Sequence, residues 1–534
     1  MNSVFTKTFH SFFSVLIFSF AVHAQHGVSP EWGSEIQIPK VNSNYSQRGV
    51  LFNNIVCANT GRIFLHTVEL DTSINPPQGI IKGVYIYYSD NGGLTWSIPV
   101  EFTPVKLTVG SSPPKIAISG DGSVHFFWTA LAPAALFYSR YDYNLNLVVD
   151  TIRIANKVNF EQWATHLTID RRNRLHAIWH EGNTNNNNVA EVYYSNSSDN
   201  GLTWRQAERL SAEDGKHSAF PRVQLDAASG DTIAIAWRNE VTANNWDVQM
   251  RISTNFGASW NPIDTVVSDL SFDSDPDVLI DNYGRIHLFY HQYPVVNPFY
   301  GANVRYGYSD NLGQTWIPAT FYQMTETGMR SHLVEGTRYD ITRNILWTFW
   351  KDERDFMNGQ HRADMMCSYS TDRGENWSSP EWVTDKDSFT IAYKAATLTH
   401  DGGIAVNYEV SSSVNGLGLV QVYFRKRNSP LGVNPISTTL PCNFVLNQNY
   451  PNPFNPYTKV RFSIPGIRGL SETQSVQLKV YNILGKEVAT LVNGQLNPGT
   501  YEADFNGNGL SGGVYFYQLT AGRFTDTRKM ILTK

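Results

Sequence analysis

Cysteine is nearly missing from this chain: three in 534 residues, Cys57, Cys367 and Cys442. So few, odd in number and far apart, they supply neither a disulfide framework nor metal-ligand spacing. The expectation is three small side chains buried in strands. Charge is also sparse, at 17% of residues with a net of −5. There is no basic excess to attract nucleic acid or an anionic membrane surface. Long apolar runs are absent as well. The one near the start, residues 12–20, is too short to cross a bilayer. With Lys7 ahead of it and Val22-His23-Ala24 before Gln25, it reads as a signal peptide over 1–24. These scarcities predict a secreted or cell-surface protein, a monomer with no transmembrane segment, no cofactor and no metal. His176 and His180 do not alter that, because they lie on a strand without a third ligand nearby.

What the chain has in quantity is aromatic residues, at 13%, and 39 glycines. Five octets organise them. They read Ser89-Asp90-Asn91-Gly92-Gly93-Leu94-Thr95-Trp96, Ser197-Ser198-Asp199-Asn200-Gly201-Leu202-Thr203-Trp204, Ser253-Thr254-Asn255-Phe256-Gly257-Ala258-Ser259-Trp260, Ser309-Asp310-Asn311-Leu312-Gly313-Gln314-Thr315-Trp316 and Ser370-Thr371-Asp372-Arg373-Gly374-Glu375-Asn376-Trp377. The third residue, Asn91, Asp199, Asn255, Asn311 or Asp372, can close a turn on backbone N–H groups. The Trp can bury its ring between neighbouring sheets. The octets recur about every 56 to 61 residues, except for a first gap of nearly two periods. A degenerate unit around Phe137-Tyr138-Ser139 fills that gap.

A pair of short strands precedes each octet, as in His166-Leu167-Thr168-Ile169-Asp170 followed by Leu175-His176-Ala177-Ile178-Trp179. Counting these pairs from Asn54 to Tyr408 gives seven units. A period of this length built of short strands implies an all-β, seven-bladed β-propeller, with six blades as the alternative. The last unit stops near Arg427 without an outer strand. Residues 31–39 have the pattern of that missing strand, so the two termini are expected to share one blade.

The octets resemble the Asp-box, or bacterial neuraminidase repeat, and the ring from about Trp32 to Arg427 resembles the sialidase superfamily. The resemblance implies a structural role for the boxes, away from any active site. The opposite face, around the central channel, then carries Arg48, Lys115, His166, Arg222, Asp275, Asp277, Arg338 and Lys394 from the first strands. From the second-strand exits it receives His180, Glu181, Arg238, Glu240, His291, Lys351, Asp352, Glu353, Arg354 and Glu409. A sialidase needs three arginines to grip a carboxylate, a Tyr nucleophile with a Glu, and an Asp acid/base. The candidates are Arg48, Arg222 and Arg338, then Tyr339, Glu240, Glu353 and Asp275. The family's Arg-Ile-Pro motif is absent, because Gly49-Val50-Leu51 follows Arg48. Three readings therefore stand: binding of a glycan or other surface polymer, sialidase-like glycoside hydrolysis, and an adhesion scaffold. Exposed aromatics favour sugar, and Tyr293-Pro294-Val295-Val296-Asn297-Pro298-Phe299-Tyr300 is the loop richest in them.

Beyond Arg427 the composition changes. Residues 428–441 are rich in Ser, Thr, Pro and Asn and read as a linker. From 442 to 534 alternating strands predict a small Ig-like β-sandwich, with nine Lys/Arg against five Asp/Glu between 440 and 534. The domain plan is thus 1–24, 25–427, 428–441 and 442–534. Asn449-Tyr450-Pro451-Asn452-Pro453-Phe454-Asn455-Pro456, Val480-Tyr481-Asn482-Ile483-Leu484-Gly485, and Gly513-Val514-Tyr515 before a Lys-containing end resemble the C-terminal sorting domain of type IX secretion substrates. That resemblance implies Sec export, passage of the outer membrane with the type IX machinery as partner, tail removal, and release or surface attachment.

Overall fold

A computed structural model describes residues 28–48, 54–73, 80–102, 114–131, 134–155, 160–183, 189–225, 230–242, 245–268, 272–293, 303–319, 331–352, 364–384, 391–411, 419–430, 433–437, 441–466, 474–496 and 498–533. The segment read as a signal peptide lies outside them. The structure is all β, and among the described residues the ring strands form five separate sheets and one eight-stranded sheet, taken below as two halves, sheets 4 and 5.

Sheet 1 has a split inner strand (Ser46–Arg48 and Ile55–Cys57), then Ile63–Asp71, Ile80–Ser89 and Val100–Glu101. Sheet 2 runs Lys115–Ile118, Val124–Leu131, Ala134–Tyr141 and Leu147–Ala155. Sheet 3 is Phe160–Ile169, Leu175–Asn183, Ala190–Ser197 and Glu208–Arg209. Sheet 4 is Ser218–Leu225, Ile233–Thr242, Asn245–Ser253 and Asp264–Val267, and sheet 5 is Phe272–Ile280, Ile286–Tyr293, Asn303–Ser309 and Ile317–Ala319. One parallel bridge, Trp246 to Phe272, ties these two together. Sheet 6 is Ser331–Asp340, Ile345–Asp352, Asp364–Ser370 and Glu381–Trp382. Sheet 7 is Ile391–Leu398, Ile404–Ser411 and Val420–Arg427, and Ile36–Gln37 completes it by pairing with Phe424 and Tyr423.

The inner strands touch their neighbours in cyclic order, and that of sheet 7 returns to Ile55–Cys57 of sheet 1. That cycle makes the ring a β-propeller. Closure covers the inner sheet edges and leaves only the outer ones open, which limits the surface that could template aggregation.

The octets lock each sheet to the one before it. In sheet 3, Ser197 Oγ accepts from the Gly201 N–H at 2.9 Å and donates to Asp199 Oδ1 at 2.8 Å. Asp199 Oδ1 also accepts from the Thr203 N–H at 2.9 Å. The same bonds recur in the octets from Ser89, Ser253, Ser309 and Ser370. Gly201 has φ +85°, and a Cβ there would fall inside the Tyr138 ring of sheet 2. Tyr138 is held in turn by His125, whose Nδ1 lies 2.8 Å from its hydroxyl. His176 with Tyr194 (2.7 Å) and His287 with Tyr306 (2.8 Å) repeat that pair beneath the next octets.

The signature Trp residues were expected to be largely buried, but they are half-buried. They lie edge-on against the preceding sheet: Trp96 on Phe424 at 5.2 Å, Trp204 on Tyr138 at 5.4 Å, Trp260 on Tyr194 at 5.0 Å and Trp377 on Tyr306 at 5.3 Å. The turn stands at the rim, so one ring face packs while the other meets solvent. The cysteines also differ from expectation. Cys367 is buried, but Cys57 is half-buried and Cys442 exposed, because Cys442 lies between the strands Val433–Ser437 and Val445–Leu446 and in neither.

The tail is a sandwich of two four-stranded sheets. One is ordered Val433–Ser437, Gly499–Asn506, Tyr457–Ile464, Val445–Leu446; the other Glu487–Leu496, Gln474–Asn482, Gly513–Ala521, Phe524–Leu532. Val433–Ser437 falls inside the stretch read as linker, yet it pairs with Ala503, Glu502 and Tyr501. Nor is the tail detached. The Tyr501 hydroxyl approaches Thr342 O of sheet 6 at 3.5 Å, and one buried apolar cluster runs from Trp347 and Val406 to Phe462 and Leu519.

Gly201→Ala combines left-handed backbone strain with a clash against a packed ring. It is expected to cost about 3–5 kcal/mol in denaturant unfolding. Gly215→Ala, at φ +76° with open space around it, is the control at about 1 kcal/mol. Equal losses would show that the Tyr138 contact carries nothing.

Candidate binding site in the central channel

The inner strands of sheets 3 to 7 share a defect. Their pairing slips between Trp163 and His166, Ala219 and Arg222, Ser274 and Asp277, Val334 and Arg338, and Ala392 and Lys394. A β-bulge re-aims the side chains around it and frees backbone donors. Each slip ends on a polar residue, which sets His166, Arg222, Asp277, Arg338 and Lys394 around the channel at nearly one level. Lys115, opposite Phe127, continues that level in sheet 2. In sheet 1 the position belongs to Asn54, which bonds the His66 carbonyl at 3.2 Å. Sequence reasoning passed over Asn54, although it heads a strand pair as the others do.

Neighbouring sheets trade the freed donors. His166 Nδ1 accepts from the Val223 N–H of sheet 4 at 3.2 Å. Asp277 Oδ2 accepts from the Thr337 N–H of sheet 6 at 3.3 Å. Arg222 and Arg338 each donate to the carbonyl just before them, at 2.8 and 2.9 Å. Lys115, His166, Arg222 and Asp277 are buried, and Arg338 is partly open to a cavity of about 270 Å³. Leu225, Leu279 and Leu398 line that cavity with Arg338, and Asp170, Tyr339 and Ile341 at the first-hairpin turns place it toward the octet end of the channel.

The charges feel one another. Burial, and then Arg222, hold the Lys115 amine well below its usual range. Burial also pushes His166 well down, followed by Arg222, Arg338 and Lys115. The Asp277 carboxyl is raised by burial against the opposing pull of Thr337, Arg222 and Arg338. Arg222 and Arg338 therefore both bear on the Asp277 carboxylate, and Lys115 lies near Arg222.

Of the three arginines expected to grip a carboxylate, Arg222 and Arg338 come together about Asp277. Arg222 and Arg338 share the channel level, but Ser46–Arg48 packs against Val420–Arg427, where Gln47 Oε1 accepts from the Val422 N–H at 3.3 Å. Arg48 pairs with Val68 in the split inner strand of sheet 1, and Lys115 lies near Arg222. The expected Tyr–Glu pair does not form. Tyr339 stands by the first turn of sheet 6, donates to Asn344 Oδ1 at 2.7 Å and accepts from the Asn282 N–H at 3.3 Å. Burial and then Asp281 raise its phenol far above the ordinary value, the wrong direction for a nucleophile. Glu240 lies at the other end of its sheet, opposite Trp246, and accepts from the His217 N–H at 3.4 Å. Asp275 falls within the sheet 5 bulge. Glu353, Arg354 and the 294–300 loop lie outside the described residues.

The octets and the first-hairpin turns occupy one face. Arg285 of a hairpin turn bonds Asp310 and Glu375 of two octets at 2.7 Å each, and Arg373 bonds Asp281 at 2.6 Å. The second-strand exits, including His180, Glu181, Arg238, His291, Lys351, Asp352 and Glu409, open at the opposite mouth. Among the described residues no group of three His, Cys, Asp or Glu could hold a metal ion. None of their helices is long and apolar enough to cross a membrane.

Residues 448–533 match the family model of the secretion system C-terminal sorting domain. The chain thus carries a type IX export signal, directing it to the cell surface or the medium. No curated protein matches the sequence. Among solved structures, an ulvan lyase bound to a sulfated glucuronate–rhamnose unit is similar at 12% identity, covering 70% of this chain and 95% of the lyase, with TM-score 0.48. A protein of unknown function from Dyadobacter fermentans is similar at 11% identity, over 75% of this chain and all of its own, with TM-score 0.44. Trypanosoma rangeli sialidase is similar at 10% identity, over 94% and 89%, with TM-score 0.40. At that distance, the fold rests on this chain's own sheet order.

Buried neutral histidines make the ring acid-sensitive. His66, His125 and His180 are each held down to about 3, chiefly by burial. Their unfolded value is near 6.5, so the unfolded chain takes up protons first as pH falls. Stability is full above pH 6.5 and declines from there toward pH 3, by about 2 kcal/mol per histidine at pH 5. Urea midpoints at pH 7 and pH 5 should differ accordingly, and a flat profile would contradict this assignment.

Proposed function

We propose that this protein is an exported β-propeller that binds an acidic glycan in its central channel. The observation that carries the reading is the gathering of Arg222 and Arg338 about the Asp277 carboxylate, with Lys115 near Arg222, beneath a mouth lined by polar side chains and aromatic rings. Such a low-dielectric cationic cluster favours a carboxylate or sulfate over a neutral sugar. The seven-sheet ring, the Asp-box identity of the octets and the cleavage of residues 1–24 belong to the same proposal.

Sialidase-like hydrolysis is the weaker reading, since Tyr339 and Glu240 stand at opposite ends of their sheets. The full chain is expected to bind acidic polysaccharides with an affinity that falls as salt rises, and to leave fluorogenic sialosides intact. Arg338→Ala should weaken binding about tenfold or more, the loss of a charge-assisted hydrogen bond, with an unchanged melting profile. Turnover of the sialoside abolished by the same substitution would replace binding by hydrolysis.

The tail supplies delivery. Removing residues 448–533 should leave the propeller in the periplasm of a host that has the type IX pathway. Appearance of the truncated chain outside the cell would reduce the tail to another binding module.

A further inference from the structure

At the upper end of sheet 4, five side chains form a wall that the channel chemistry does not use. The bulge between Ala219 and Arg222 puts Phe220 at φ +53°, a left-handed conformation that a bulky residue rarely adopts, directly before Pro221. Strain of this kind survives only where the surroundings hold it, and it clusters where ligands bind. Here it turns the Phe220 ring toward His180 of sheet 3, with ring centres 5.3 Å apart. The Arg238 guanidinium lies 4.0 Å from the Phe220 ring centre and 4.7 Å from that of Trp246. The His217 ring lies 6.5 Å from that of Trp246, 29° from parallel.

Both histidines are fixed by backbone donors. His180 Nδ1 accepts from the Phe220 N–H at 3.3 Å, and His217 Nδ1 accepts from the Ala190 N–H at 3.0 Å. The Glu240 N–H donates to the His217 carbonyl at 2.8 Å. The wall therefore has a set shape before any ligand arrives. Phe220, Arg238, Trp246 and His217 are all half-buried, whereas Arg222 one step deeper is buried. A guanidinium between two aromatic faces is held flat by cation–π attraction, with its N–H edge defined. An aromatic face beside it suits the apolar C–H face of a pyranose.

We infer that Phe220, Arg238 and Trp246 form a subsite for an anionic pyranose residue of a polysaccharide, with the ring against Trp246 and the carboxylate or sulfate on Arg238. The inference rests on the acidic-glycan reading given above and assigns it a second contact, outside the Lys115–Arg222–Arg338 cluster.

The test is calorimetric titration of the full chain with polygalacturonate, dextran sulfate and neutral dextran. Wild type is expected to bind one or both acidic polymers and not dextran, and which it prefers separates a carboxylate from a sulfate. Trp246→Ala should weaken binding at least about tenfold, while Trp246→Phe stays within about threefold and shows that the fold is intact. Arg238→Gln should lose the acidic polymer without shifting the melting temperature. If wild type binds and Trp246→Ala and Arg238→Gln bind equally well, the subsite is wrong while the glycan reading stands. A wild-type chain that binds none of the three overturns both.

Discussion

The ring depends on the contact between an octet glycine and an aromatic side chain of the preceding sheet. Three residues before the end of each third strand stands a position that meets the next sheet. Where the next sheet carries an octet, the position holds Tyr138, Tyr194, Tyr306 or Phe424, each lying against the glycine. Sheet 4 fills the space with Met250 and Ile252, and Ile252 approaches Gly313 instead. Where the next sheet has no octet, the position holds Ile86 or Cys367, both buried. The aromatic and the glycine thus form one unit divided between two sheets. The buried His–Tyr bond fixes the phenol and satisfies a polar atom that would otherwise cost about 1–3 kcal/mol. Because the unit crosses the sheet boundary, each sheet specifies its neighbour, and the repeat closes in one order.

A second device repeats on the inner strands, and it couples fold to site. A bulge leaves N–H groups without ladder partners, and burial makes that costly. His166, His180 and Asp277 accept those groups from the following sheet. The same slips turn Arg222 and Arg338 onto the channel. Polar residues in the channel therefore serve packing and ligand chemistry together, so a deletion such as Arg222→Ala disturbs both. Arg338, which meets the cavity, separates the two roles better.

Much of this was legible because its causes are local. The octet carries its own turn bonds, so five copies announce themselves without tertiary information. His166, Arg222, Asp277 and Arg338 were found by their place at the head of a strand pair. Sheet 1 is harder to read because its inner strand is split: Arg48 ends the first half, and Asn54, six residues on, stands directly before the second. Tyr339 misled because it adjoins Arg338, and in a strand adjacent side chains leave on opposite faces. Residues 433–437 misled through composition: Pro435 reads as linker, yet the strand lies at a sheet edge, where a proline's missing donor is tolerated. The wall of Phe220, Arg238 and Trp246 was not legible, since a positive φ at a phenylalanine has no sequence signature.

The position of the tail bears on how export and binding coexist. Tyr501 of the sandwich reaches Thr342, in the first-hairpin turn of sheet 6. That turn belongs to the same face as the octets, as the bonds from Arg285 and Arg373 establish for the neighbouring sheet. The wall around Trp246 stands at the other end of the strands. A tail docked at the octet face and a ligand on the proposed wall therefore do not compete for surface, whereas the cavity that Arg338 meets includes Ile341, the neighbour of Thr342.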